Sequence, residues 1–85
     1  MLRIRVRRVR EGLHPNEVVV AVATTEGTEE VVVHNRSIRD DTLRVGYPIG
    51  RDDKKNYLVE LPRETVRGSS RVWVPEGSLI KEAAA

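Results

Sequence analysis

The sequence predicts a single all-β domain of five to seven short antiparallel strands, with at most one short helical turn. Three observations predict it. Apolar and charged residues alternate with a period of two over residues 2–7, the pattern of a strand buried on one face. The apolar residues are mostly valine, isoleucine and leucine, with no phenylalanine, one tryptophan and two tyrosines, and branched side chains pack well on a pleated surface. No segment sustains a 3.6-residue apolar repeat, while Gly, Pro, Asn and Asp interrupt the chain at short intervals.

The elements follow in order. In the first strand Leu2, Ile4 and Val6 are expected to face the core, with Arg3, Arg5 and Arg7 facing out. Gly12, His14, Pro15 and Asn16 then break the chain. Residues 18–23 read Val-Val-Val-Ala-Val-Ala, apolar on both faces, which predicts a central strand or one covered on both sides. A turn over residues 25–28, with Gly27 free to take positive φ, leads into Val31, Val32 and Val33 and makes the clearest hairpin. Residues 37–41 offer the one candidate helical turn, capped by Ser37 and carrying Asp40 and Asp41. Leu43 and Val45 mark a strand, and Gly-Tyr-Pro-Ile-Gly over residues 46–50 marks a bulge or tight corner. Residues 51–56 form a polar tip, residues 57–61 a strand stopped by Pro62, and residues 63–70 a loop. Residues 72–74 form a strand ended by Pro75, and the turn at residues 76–78 leads to a short closing strand at Leu79 and Ile80. The domain is expected over residues 1–82, with residues 83–85 as a fraying tail.

The last third is similar to the end of SH3-like barrels. The resemblance lies in a spacing pattern over residues 57–80: Tyr57-Leu58-Val59-Glu60, a loop reaching Gly68, Arg71-Val72-Trp73-Val74-Pro75, the turn Glu76-Gly77-Ser78, and Leu79-Ile80. It implies a small, partly open SH3-like barrel closed by a strand, a tight helical turn and a short last strand. Within that class the Tyr57–Glu60 strand resembles one of the plasmid-type dihydrofolate reductases. Arg71-Val72-Trp73-Val74 stands where that family has Val-Gln-Ile-Tyr, so the activity does not carry over. Three aromatic residues are also too few for the aromatic groove of the peptide-binding SH3 domains.

Composition restricts the function. A chain of 85 residues is one domain with a thin stability margin. It has no cysteine, hence no disulfide framework, thiolate metal site or cysteine nucleophile, which together with the absence of a signal-peptide pattern makes the cytoplasm the expected compartment. No apolar run approaches the roughly 18 residues of a membrane span. The net charge is only +2, but Arg3, Arg5, Arg7, Arg8 and Arg10 place five positive charges in the first ten residues, leaving −3 for the rest. The basicity is local.

No set of residues points to catalysis, and no enzyme, metal or cofactor is expected. His14 reads as a turn residue and His34 as a strand-end residue with a local hydrogen bond. The pairs Asp40-Asp41 and Asp52-Asp53 are sequence neighbours, which on a strand point to opposite faces, so neither makes a ready dyad. Binding is the stronger reading. Arg3, Arg5 and Arg7 share one strand face at about 6–7 Å intervals. Arg63, Arg67 and Arg71 would extend that patch if the fold brings them near, and Trp73 shares a face with Arg71, where a guanidinium stacks well on an indole. Tyr47, in the glycine-proline corner, completes the candidate set. The competing reading has these arginines paired with Glu17, Glu29, Glu30 or Glu60 and Trp73 plugging the core. Two functions are expected: first a protein-interaction or self-associating module, because a thin core and open edges reward added burial; alternatively a nucleic-acid-binding module built on the arginine row.

Overall fold

The N-terminal alternation folds as two strands, not one, in the computed structural model, which describes residues 2–81. β1 (Leu2–Arg5) and β2 (Arg7–Glu11) part at Val6 and join different sheets. The other strands are β3 (Glu17–Thr24), β4 (Gly27–His34), β5 (Ile38–Arg39), β6 (Thr42–Val45), β7 (Gly50–Arg51), β8 (Asn56–Glu60), β9 (Arg71–Pro75) and β10 (Leu79–Lys81). They form three antiparallel sheets with the orders β10-β1-β6-β5, β2-β3-β4 and β7-β8-β9. The chain is all-β, as its composition predicts. The ten described strands exceed the expected five to seven because of the break at Val6 and the two-residue strands β5 and β7. The sheets do not close into a barrel. The tail expected over residues 83–85 lies outside the described residues.

Each sheet turns one face to a common core. Leu2, Ile4, Leu43 and Val45 come from the first sheet, Val18, Val20, Val22, Val31 and Val33 from the second, and Val59, Val72 and Val74 from the third. Each fully buried aliphatic side chain of this kind contributes about 1.5–3 kcal/mol relative to exposure. β3 is covered on both faces, as its run of apolar residues predicts. Val18, Val20 and Val22 face the core, while Val19 and Ala21 are buried on the opposite side. The register explains the cover there. Arg10 on β2 lies opposite Val19, Glu30 on β4 lies opposite Ala21, and the two charged groups meet at 3.1 Å, which they can do only by passing over β3.

The edges of the second sheet are protected in two ways. The loop after β8 lies along β4: Thr65 bridges Val31, Val66 N–H donates to the Glu30 carbonyl at 2.8 Å, and the Thr65 hydroxyl donates to Glu29 at 2.6 Å. β2 on the other side carries Arg7, Arg8, Arg10 and Glu11 on a five-residue strand, and charged edges resist pairing with a second chain.

The hairpin β3–β4 forms where the sequence predicts it, with Thr24 opposite Gly27 and Gly27 at φ 120. The expected helical turn over residues 37–41 is not there. A single 3-10 turn covers Asn35–Ser37, capped by His34, whose Nδ1 accepts from Arg36 N–H at 3.1 Å. Asp40 and Asp41 instead form the two-residue turn of the β5–β6 hairpin, at φ 52 and 58, the two positive values that a type I′ turn requires. Aspartate favours helix starts and turns alike, and the pairing of Arg39 with Thr42 decides between them. A second 3-10 turn, Glu76–Ser78, joins β9 to β10, which returns to pair with β1.

Candidate anion-binding face

The arginines of the N-terminal segment divide by position. Arg3 does not face solvent as the alternation predicts: it is buried, and its Nη1 donates to the carbonyls of Ser37 and Thr42, each at 3.3 Å. Its side chain runs across the sheet to backbone acceptors that the 3-10 turn and the start of β6 leave available. Arg3 is a structural residue.

Arg5 and Arg7 remain exposed, and the break at Val6 leaves one on each of two sheets. They still lie together. Both line a shallow groove of about 230 Å³ with Val6, Ala21, Ala23, Thr28 and Ser78, which holds no carboxylate. On the first sheet the register adds two further arginines to the face that points away from the core. Arg44 is directly opposite Arg3, and Arg5 and Arg39 both flank Thr42. Like charges placed directly opposite are unfavourable, so this face carries an electrostatic cost within the folded domain. Among the described residues Arg5, Arg7 and Arg44 make no ion pair.

The other arginines behave differently. Arg10 meets Glu30 at 3.1 Å, Arg63 meets Glu17 at 2.8 Å, and Arg71 meets Glu60 at 3.2 Å. The guanidinium of Arg63 holds the Glu17 carboxyl below its ordinary range. Arg67 is exposed in the loop after β8 and Arg71 lies on the third sheet, so neither extends the row of Arg5 and Arg7 in the β-ladder.

Trp73 is not the core plug that its size suggests. Val72 and Val74 take the core face of β9, so Trp73 points the other way, half-buried opposite Leu58 and against Gly50. It does share its face with Arg71, as alternation requires, but its surroundings are acidic: Glu26 and Glu29 line the same depression, and Glu60 holds Arg71. Tyr47 lies elsewhere. It stands 76% exposed on the link between β6 and β7 and lines a groove of about 500 Å³ with Arg44, Ser37 and Glu60.

The carboxylate pairs hold turns. The Asp52 carboxylate accepts from the N–H groups of Lys54 and Asn56 and from the Asn56 side chain, at 2.8–2.9 Å, and the Asn56 N–H foremost lowers its pKa. Among the described residues no three of His, Asp and Glu gather as a metal site would need, and no helix is long and apolar enough to cross a membrane.

What the geometry offers is an exposed cationic surface around β1, made of Arg5, Arg7 and Arg44, with hydroxyls of Ser78 and Thr28 in its groove. Such a surface can take phosphate or carboxylate oxygens as charge-assisted hydrogen-bond acceptors. No family model matches the chain, and no match to it is found among the curated proteins or the solved structures.

Proposed function

We propose that this domain binds nucleic acid through the arginines around β1. The observation that carries the reading is the contrast among its arginines. Arg10, Arg63 and Arg71 are matched to glutamates, whereas Arg5 and Arg7 share a groove without a carboxylate and Arg44 lies on the same face of the first sheet as Arg5. Arg8, Arg36, Arg51 and Arg67 also make no ion pair among the described residues, so it is this shared location that sets the three apart. A polyanion satisfies all three together and relieves the repulsion across β1 and β6. Arg67, Arg71 and Trp73 have no part in it, and Arg3 is occupied with the backbone carbonyls of Ser37 and Thr42.

The test is titration of labelled DNA and RNA oligonucleotides at low salt, with the wild type and with a variant carrying Arg5→Gln, Arg7→Gln and Arg44→Gln. The wild type binds, and the triple variant folds but binds at least ten-fold more weakly, each lost phosphate contact being worth roughly a kcal/mol at low salt. No binding by the wild type ends the proposal. Arg3 must stay in the variant, because its side chain holds backbone carbonyls.

A protein partner or a second copy is the second reading, favoured by exposed Tyr47 and Ile49 in the corner between β6 and β7. Edge pairing has little to work with in the second sheet, where the loop covers β4 and charges line β2. A monomer in sedimentation at high concentration, with no co-purifying protein, removes this reading.

A further inference from the structure

We infer that Tyr47 is a base-stacking platform and that the domain prefers single-stranded to duplex nucleic acid; the inference rests on the nucleic-acid reading above. Tyr47 is 76% exposed, and an aromatic ring left in water at that level is not held there by the core. The Gly46-Tyr47-Pro48 link leaves β6 immediately after Val45, so the ring stands beside the end of the strand that carries Arg44. Arg44 and Tyr47 line one groove of about 500 Å³, whose apolar lining comes from Leu2, Val45, Leu61 and Pro62. Glu60 also lines it, but its carboxylate is engaged by Arg71 at 3.2 Å.

The other two aromatics are placed differently. Tyr57 packs against the core, and Trp73 sits on the third sheet among Glu26, Glu29 and the Arg71–Glu60 pair. Tyr47 is therefore the aromatic ring that shares a groove with an arginine of the basic face. The row Arg7, Arg5, Arg44 follows a backbone, and the ring at its end meets a base. A base in a duplex is already stacked on its neighbours and offers only its edges to a protein, whereas an unpaired base offers a π-face. Arginines alone would serve duplex and single strand alike; the ring makes the difference.

The experiment measures affinities for a short oligothymidylate and for a duplex of equal length, with the wild type, Tyr47→Phe, Tyr47→Leu and Tyr47→Ala. The wild type and Tyr47→Phe prefer the single strand. Tyr47→Ala and Tyr47→Leu lose roughly ten-fold on the single strand and little on the duplex, since only a ring supplies the π-face. Unchanged thermal melts show that these exposed-site variants are folded. Equal wild-type affinity for both forms, or a single-strand affinity that Tyr47→Ala leaves intact, overturns the inference while the nucleic-acid reading stands. A wild type that binds neither form overturns both, and the groove is then free for a peptide.

Discussion

Arg3 and Arg5 sit two residues apart on one strand, face the same way, and do different work. The guanidinium of Arg3 lies over backbone carbonyls at 3.3 Å, whereas that of Arg5 reaches solvent at a groove. Removing Arg3 leaves buried carbonyls without their donor, so Arg3→Ala should cost about 1–3 kcal/mol in urea unfolding. Arg5→Ala should stay within about 0.5 kcal/mol, as surface changes away from such features do. Equal effects would contradict the division. The carboxylates give a second residue-scale test. Arg63 lowers the pKa of Glu17, and Asn56 lowers that of Asp52, from ordinary values of 4.5 and 3.8. A carboxylate whose pKa is depressed by folding adds stability that is complete above its ordinary value and is lost as pH falls through the depressed one. The melting temperature should therefore fall on acidification below about pH 4.5, and Glu17→Gln with Asp52→Asn should flatten that fall. An acid limb of unchanged steepness in the double variant would show that other groups set it.

Elements show which features of the sequence were legible. The doubly apolar run that became β3, the β3–β4 hairpin and the polar tip at Asp52 all follow from local pattern, because burial on two faces, a glycine at positive φ and an Asx-type turn leave marks in composition. The break at Val6 left none. No glycine or proline stands there: Val6 N–H still donates to the Asp41 carbonyl, one step beyond the Arg5–Thr42 pair, and the next residue, Arg7, already pairs with Ala21 of β3, both partners far along the chain. That break is also why Arg3, Arg5 and Arg7 are not one row. For Trp73 two signals in the sequence conflict: alternation with Val72 and Val74 puts it off the core face beside Arg71, its size suggests the core, and the register follows the alternation. The neighbourhood of Arg44 and Tyr47 depends on how the chain leaves β6, which no periodicity records. At this scale the β5–β6 turn is testable. Asp40 and Asp41 both hold positive φ, which glycine adopts freely and aspartate less so. Asp41→Gly should stabilise the domain by about 0.5–1 kcal/mol in thermal or urea unfolding, and destabilisation would argue against the type I′ geometry.

Taken whole, the molecule clusters its charges, and the acidic and basic clusters meet at Glu60, which holds Arg71 and lines one groove with Arg44. The third sheet and the β3–β4 tip gather Glu26, Glu29 and Glu60 around Trp73, while the first sheet and the start of the second present Arg5, Arg7 and Arg44. A net charge of +2 conceals this arrangement, because it sums over faces that a partner meets one at a time. The local excess in the first ten residues was legible; its enlargement by Arg44 and its loss of Arg3 required the register of β1 against β6. The most direct measurement of the central claim is the salt dependence of oligonucleotide binding, in the wild type and in the variant with Arg5, Arg7 and Arg44 changed to glutamine. The wild type should give a linear decline of log affinity with log salt, and the variant a slope shallower by about two to three, near 0.7–0.9 for each phosphate contact removed. Binding with the same slope in both proteins would place the contacts elsewhere and contradict the account.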